Sequence, residues 1–284
     1  MQKNTLCTVK VKLITVATPV SCPDVTEFPH YSALSLRLSD EPDPAWRVHT
    51  IAAERARAGE DVIILSIGEP DSPPPPAVIA EIEASIERGR TRYSEARGEP
   101  EVVDAICAYT SRQAGRPITP DMVNFFPGAQ TALFGMLMTI VGPGDGLIVP
   151  EPYYAPYTQV LGASGVDVAH IPLRPERDFH PDLDDLRAAI TPGTRAMVIT
   201  NPHNPTGAVL SRDELMGIAE ICREHGMWLV ADEVYGEFVY EGAFTSVLAL
   251  EGHEDHVVSL GTLSKSYAMT GFRHGWAVSP PALG

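Results

Sequence analysis

Six short apolar runs separated by helical stretches constrain this chain more than any other feature. They are Met122–Phe126, Gly146–Val149, Val166–Ile171, Ala196–Thr200, Trp228–Ala231 and Val257–Leu260. Between them, apolar spacing and cap residues predict helices running from Gly128-Ala129-Gln130 through Leu133, Leu137 and Ile140, over Tyr157–Leu161, over Pro181–Ile190, and over Arg212–His225 with Ser211 as its cap. Helices over Ala77–Arg88 and Glu99–Ala114 precede the first run, and a further strand, Gly275–Val278, follows the last. Strands covered on both faces read as continuous apolar runs, and a helix between successive strands is what a parallel crossover needs. The predicted class is therefore α/β, a mostly parallel sheet sandwiched by helices.

Upstream the pattern weakens. Residues 1–43 lack sustained periodicity and are broken by Pro19, Pro23, Pro29 and Pro42, so they read as an N-terminal arm. Within it, Leu6–Val20 has the look of a signal-peptide core, but Lys10 and Lys12 interrupt it and no small-x-small cleavage site follows. A helical pattern begins at Pro44 and stops at Gly59, a C′ glycine. The apolar run Val62–Ile67 follows, then Gly68-Glu69-Pro70-Asp71 and the four prolines Pro73–Pro76. A proline run adopts polyproline II and makes a stiff connector, so residues 44–76 read as a hinge region ahead of a main domain over 77–284.

Charge and cysteine usage exclude several function classes. Among 284 residues, 21 Lys and Arg face 37 Asp and Glu, a net charge of −16 that suits neither nucleic acid nor an anionic membrane. No apolar stretch approaches the roughly 20 residues needed to span a bilayer. Cys7, Cys22, Cys107 and Cys222 are far apart and form no CxxC pair, which fits a reducing compartment such as the cytoplasm. His253 and His256 share a His-x-x-His spacing, but Glu254 and Asp255 lie between them, so a polar surface turn is expected there and no metal. Gly-x-Gly-x-x-Gly, Gly-x-x-x-x-Gly-Lys and Gly-x-Ser-x-Gly are all missing, which leaves dinucleotide, nucleotide and serine-hydrolase readings without their fingerprints.

In an open parallel sheet, ligands bind just beyond the carboxyl ends of the strands. The segments after the apolar runs are Gly128-Ala129-Gln130, then Asn201-Pro202-His203-Asn204-Pro205-Thr206-Gly207, then Asp232-Glu233-Val234-Tyr235, then Gly261-Thr262-Leu263-Ser264-Lys265. If the strands are parallel, an amide, a carboxylate, a phenol and an amine converge on one rim. Each has a plainer reading. Lys265 could be a solvated surface lysine, Asp232 a helix cap, Asn204 an Asx-turn residue, and Tyr154 a core tyrosine.

Asn-Pro-x-Asn-Pro-Thr-Gly, then Asp-x-x-Tyr, then Ser264-Lys265 followed by Arg273, resembles the class I/II pyridoxal-phosphate aminotransferases of fold type I. The similarity extends over about residues 44–284, and the stretches Tyr93–Gly98 and Ser264–Gly275 look like arginine–pyruvate transaminases, with aspartate-type enzymes the open alternative. The resemblance implies a homodimer with shared active sites and a large cofactor domain over 77–284. Residues 44–76 would begin a small domain whose remainder, with the arginine that clamps the substrate carboxylate, lies beyond Gly284. It implies that Lys265 forms the imine with pyridoxal 5′-phosphate, Asp232 pairs with the ring nitrogen, and Tyr235 and Asn204 donate to the phenolic oxygen. Gly128, Ala129, Gln130, Thr262 and Arg273 would hold the phosphate, as would Tyr93 of the neighbouring subunit. Tyr154 would stack on the ring where many relatives have Trp, and Gly68, Tyr154 and Asn204 would meet the substrate.

Free lysine has a pKa of about 10.4, so only about 0.04% is neutral at pH 7, and burial with Arg273 nearby should raise that fraction. The expected reaction is ping-pong transfer of an amino group from an amino acid to a 2-oxo acid, Lys265 acting as general base on the Cα proton. A β-eliminating carbon–sulfur lyase uses nearly the same residues, and an inactive cofactor-binding protein is the third reading.

Overall fold

A computed structural model describes residues 32–38 and 44–284. The rest of the arm lies outside the described residues, with Leu6–Val20, Cys7 and Cys22 in it. Within the arm, where the sequence lacks sustained periodicity, residues 33–38 form a short helix, α1 (Ala33–Leu38). Arg37 ties it down by donating to the carbonyls of Gly162 and Ala163, each at 3.1 Å.

The chain continues through α2 (Pro44–Arg57), α3 (Pro76–Glu87), α4 (Pro100–Ala114), β1 (Val123–Phe126), α5 (Ala129–Ile140), β2 (Gly146–Glu151), α6 (Tyr157–Ser164) and β3 (Asp167–Pro172). It ends with α7 (Leu183–Ala189), β4 (Thr194–Thr200), α8 (Arg212–Glu224), β5 (Trp228–Asp232), β6 (Val257–Thr262) and β7 (Gly275–Val278). The strands form one sheet in the order β1-β7-β6-β5-β4-β2-β3. Only β7 runs against the others: it pairs antiparallel with both β1 and β6, while the remaining pairs are parallel.

Alternation along the strands builds two cores. In β4, Met197 and Ile199 join Leu229 and Ala231 of β5 on one face, under Leu215, Ile218 and Cys222 of α8. On the other face Ala196, Val198, Val230, Val258 and Leu260 pack against Leu133, Met136 and Leu137 of α5 and Val160 of α6. Successive side chains of a strand point to opposite faces, so a strand with both faces covered must be apolar throughout. A third cluster sets Val103, Ile106 and Cys107 of α4 against Val123, Trp276 and Val278 at the antiparallel edge.

Local chemistry fixes the element ends. Ser211 and Glu214 form a reciprocal capping box at the start of α8. The helix expected from Pro181 begins instead at Leu183, because the Asp182 side chain accepts the Asp184 N–H at 2.9 Å and caps it there. The proline connector also shortens by one, since Pro76 is the first residue of α3, where its missing N–H costs nothing. Val62–Ile67 adopts no regular element, and Ile63 and Leu65 are 83% and 88% exposed. The turn expected around His253 forms, with Asp255 exposed, but His253 itself is covered. His253 is buried, its ring 3.3 Å from that of His256, which also lies 3.2 Å from the Ala219 carbonyl on α8.

Glu233 ties β5 to its neighbours. Its carboxylate accepts the hydroxyls of Ser246 (2.7 Å) and Ser259 (2.6 Å) and the Val247 N–H (2.7 Å). Burial outweighs these donors and pushes its pKa up from 4.5 to about 7. The folded state then holds this proton to higher pH than the unfolded chain does. The group's contribution to stability therefore falls as pH climbs from 4.5 to about 7 and is flat above that. At 1.36 kcal/mol per pH unit the fall is about 3 kcal/mol. Urea unfolding of Glu233→Gln at about pH 5 and pH 8 should show a pH dependence smaller by that order than the parent's. An unchanged pH slope would refute the assignment.

Candidate active site

Because six of the seven strands point one way, their carboxyl ends share a rim. Two adjoining cavities open along it. The inner one, about 250 Å³, is lined by Gly68, Ala129, Gln130, Tyr154, Asn204, Asp232, Tyr235, Thr262, Lys265 and Arg273, all singled out from the sequence, and also by Glu69, Tyr157, Thr200, Ser264 and Thr270. The outer one, about 630 Å³, continues past Tyr154, Asn204, Tyr235 and Lys265 to Trp46, His203, Phe238 and Tyr240. Tyr93 lines neither and is fully exposed.

Lys265 is half-buried rather than solvated, and its Nζ donates to the Gly68 carbonyl at 3.0 Å. Burial lowers its pKa. Glu69 and Asp232 pull it back up, and Arg273 pushes it down. A lysine in such surroundings reaches the neutral, nucleophilic form more readily than a free one.

Asp232 ends β5 and is 8% exposed. Its Oδ2 accepts the Tyr157 hydroxyl at 2.5 Å, and Oδ1 accepts the Val234 N–H at 3.3 Å. Desolvation raises its pKa, and the Tyr157 hydrogen bond, the Val234 amide and the Lys265 charge oppose the rise. Neither donor is charged, so among the described residues the carboxylate is solvated by dipoles alone at hydrogen-bond distance. A cationic ring N–H would complete it. The helix-cap alternative does not hold, since residues 234–237 form a turn and no helix.

Asn204 donates from Nδ2 to the Tyr235 hydroxyl at 3.2 Å, which aligns the two side chains expected to face one oxygen. Tyr154 stands edge-on to Tyr157, ring centroids 5.7 Å apart, and is 37% exposed, so it belongs to the cavity wall and not to the core. Thr262 Oγ1 donates to the His274 carbonyl at 2.6 Å and accepts the Ser264 N–H at 3.1 Å. Its hydroxyl is already engaged, and Ser264 offers a second one beside it.

The anion cradle is built on close backbone approach. Gly128 has φ +97°, and a Cβ there would lie 2.2 Å from Nη2 of Arg273. The guanidinium therefore sits against the turn that opens α5. Among the described residues no side chain caps that helix, which leaves its first amides open to an anion, with the helix dipole adding to the attraction. Arg273 itself has φ +55° and donates from Nη1 to the Thr270 carbonyl at 2.9 Å.

Sequence reasoning missed Tyr157, Thr200, Ser264, Glu69 and Thr270. Thr200 and Ser264 were within reach of the strand-end rule, being the last residue of one apolar run and the neighbour of Lys265. The part played by Tyr157 had no local signal, since its partner Asp232 is 75 positions away.

Comparison with known proteins identifies the family. The family described as aminotransferase class I and II matches residues 60–283. The chain is similar to the arginine–pyruvate transaminase of Pseudomonas aeruginosa, 38% identical over 89% of this chain and 64% of that protein. It is also similar to the probable aspartate/prephenate aminotransferase of Thermus aquaticus, 35% identical over 86% of this chain and 63% of the relative. Among solved structures, the aspartate aminotransferase from Thermus thermophilus with maleate superposes with a TM-score of 0.85 at 33% identity, covering 90% of this chain and 66% of that one. The chain thus spans slightly less than two thirds of the length of these proteins. In fold and in sequence, the chain belongs to the class I and II aminotransferase family.

Proposed function

We propose that this chain binds pyridoxal phosphate, the cofactor of class I and II aminotransferases, and exchanges an amino group between an amino acid and a 2-oxo acid. The observation that carries the proposal is the meeting, in one cavity, of a half-buried amine, a buried acid without a charged donor, and a guanidinium packed on a helix-opening glycine. Those three features fit the cofactor's aldehyde, its ring nitrogen and its phosphate respectively. When bound, the cofactor supplies an aldehyde that condenses with amines and a ring that draws electrons from the substrate Cα.

The chain's residues do the rest. Arg273 and the amides of Ala129 and Gln130 hold the phosphate, with the hydroxyls of Thr262 and Ser264 beside them. Asp232 keeps a proton on the ring nitrogen, and Tyr157 steadies the carboxylate. Tyr235 and Asn204 donate to the phenolic oxygen, while Tyr154 covers a ring face. Lys265 in its neutral form takes the proton from the substrate Cα and later returns it. Gly68 meets the substrate from residues 67–69, a strap that lines the cavity. In this reading residues 44–76 begin the small domain and 77–284 make the cofactor domain. The protein is a cytoplasmic homodimer, and the exposed Tyr93 belongs to the neighbouring subunit's phosphate site.

For substrates, we infer arginine and pyruvate as the first pair to assay. Support comes from the Pseudomonas relative and from the outer cavity, whose lining has the rings of Trp46, Tyr154, Phe238 and Tyr240 and no charged side chain but Lys265. A guanidinium stacks on such rings, whereas a second carboxylate finds no cation other than Lys265 among the described lining residues.

Adding pyridoxal phosphate, reducing with borohydride and mapping peptides should tag Lys265, and Lys265→Ala should lose both the tag and turnover. A tag elsewhere would refute the site. In Tyr157→Phe the carboxylate loses one of its two hydrogen bonds, and cofactor affinity measured by titration should fall about tenfold. With pyruvate as acceptor, arginine should exceed aspartate in kcat/KM by at least about tenfold. Release of ammonia and pyruvate from cystathionine, without amino transfer, would replace the proposal with a lyase.

A further inference from the structure

Residues 67–69 cross the inner cavity and make two contacts that the chemistry above does not require. The Gly68 carbonyl accepts Lys265 Nζ at 3.0 Å, and Glu69 Oε1 accepts the Thr270 hydroxyl at 2.5 Å. Thr270 in turn offers its carbonyl to Arg273 at 2.9 Å. A carboxylate from the strap is thereby anchored to the same turn that carries the site's guanidinium, with the amine in the cavity they share.

We propose that Glu69 is a positioning residue for Lys265: held by Thr270, its carboxylate offsets Arg273 and keeps the amine basic enough to take the substrate's Cα proton. The proposal rests on the role given to Lys265 above. The charged groups that face the amine are Glu69 on the strap, Asp232 at the end of β5 and Arg273 ahead of β7. The remaining titratable side chains of the inner cavity, Tyr154, Tyr157 and Tyr235, are phenols whose pKa values burial raises, so they stay neutral. Burial and Arg273 both favour the neutral amine, and among the groups that oppose them Glu69 outweighs Asp232. Without that opposition Lys265 would lose its proton more easily but would be a weaker base, and proton transfer is best served by a base poised near the working pH. Glu69 and Arg273 are both exposed, so solvent and salt screen the balance between them.

Glu69→Gln keeps the shape and the acceptor for Thr270 while removing the charge. Trace acetylation with acetic anhydride across pH 6 to 10, without cofactor and with the Lys265 peptide quantified by mass spectrometry, reads the amine directly. In Glu69→Gln, Lys265 should be acylated about threefold to tenfold faster near pH 7, with the midpoint moved to lower pH. Glu69→Asp should restore the parent profile, and about 1 M salt should narrow the gap. An unmoved midpoint would overturn the proposal, including the case where labelling is faster at every pH because a loosened strap merely uncovers the amine. Failure of borohydride to tag Lys265 in the loaded protein would instead count against the cofactor reading, so the two failures are distinguishable.

Discussion

The parallel register of β4, β5 and β6 holds the site in place. Thr200 lies beside Asp232, and Asp232 beside Leu260, two residues before Thr262. The row of side chains at the rim is thus a consequence of pairing, and pairing is enforced by the two cores. A slip of one residue would exchange the face of Met197 and Ile199 with that of Ala196 and Val198, and would turn Asp232 away from Tyr157. Hydrophobic burial on both faces therefore specifies where a carboxylate ends up, although no apolar side chain touches the chemistry.

Placing acids at the end of such a strand is costly, and the chain does it twice in succession. Strand alternation sends Asp232 to the cavity and Glu233 toward Ser246 and Ser259. The two acids meet different surroundings. Glu233 has three hydrogen bonds yet a pKa of about 7, and the charge on Asp232 adds to that rise. Near neutrality Glu233 can take up a proton, which relieves the like-charge repulsion with Asp232. In a chain with a net charge of −16, this rim sets two cations, Lys265 and Arg273, beside two carboxylates, Glu69 and Asp232.

Much of this was legible in the sequence. The strand-end rule works because helices between short apolar runs force parallel crossovers, so segments distant in the chain but equivalent in position must converge. The cap at Ser211 was readable because both partners lie within one turn. What escaped reading was tertiary. Tyr157 scans as the first residue of an apolar helix, and only packing of α6 over β5 brings its hydroxyl to Asp232. His-Glu-Asp-His scans as solvated, yet α8 offers a carbonyl to His256 and the fold covers His253. Val62–Ile67 has the composition of a buried strand, but composition states what a segment would bury and not which surface receives it.

The coupling between the opening of α5 and the lysine segment follows from two glycines that the pattern alone does not connect. A Cβ on Gly128 would strike Arg273, and one on Gly275 would lie 2.4 Å from the Gly128 carbonyl carbon and 2.5 Å from the Ala129 nitrogen. Each glycine is ordinary by itself, since strand–helix turns are often glycine-rich. Together they let β7 approach the opening of α5 at backbone distance, so that the helix amides and the guanidinium address the same volume. Fixed dipoles and a cation spaced this closely favour a doubly charged group over a carboxylate, because each oxygen can find its own donor. The antiparallel β7, the sole exception in the sheet, is what returns the chain from Arg273 to this contact, and the exception is therefore part of how the site is built.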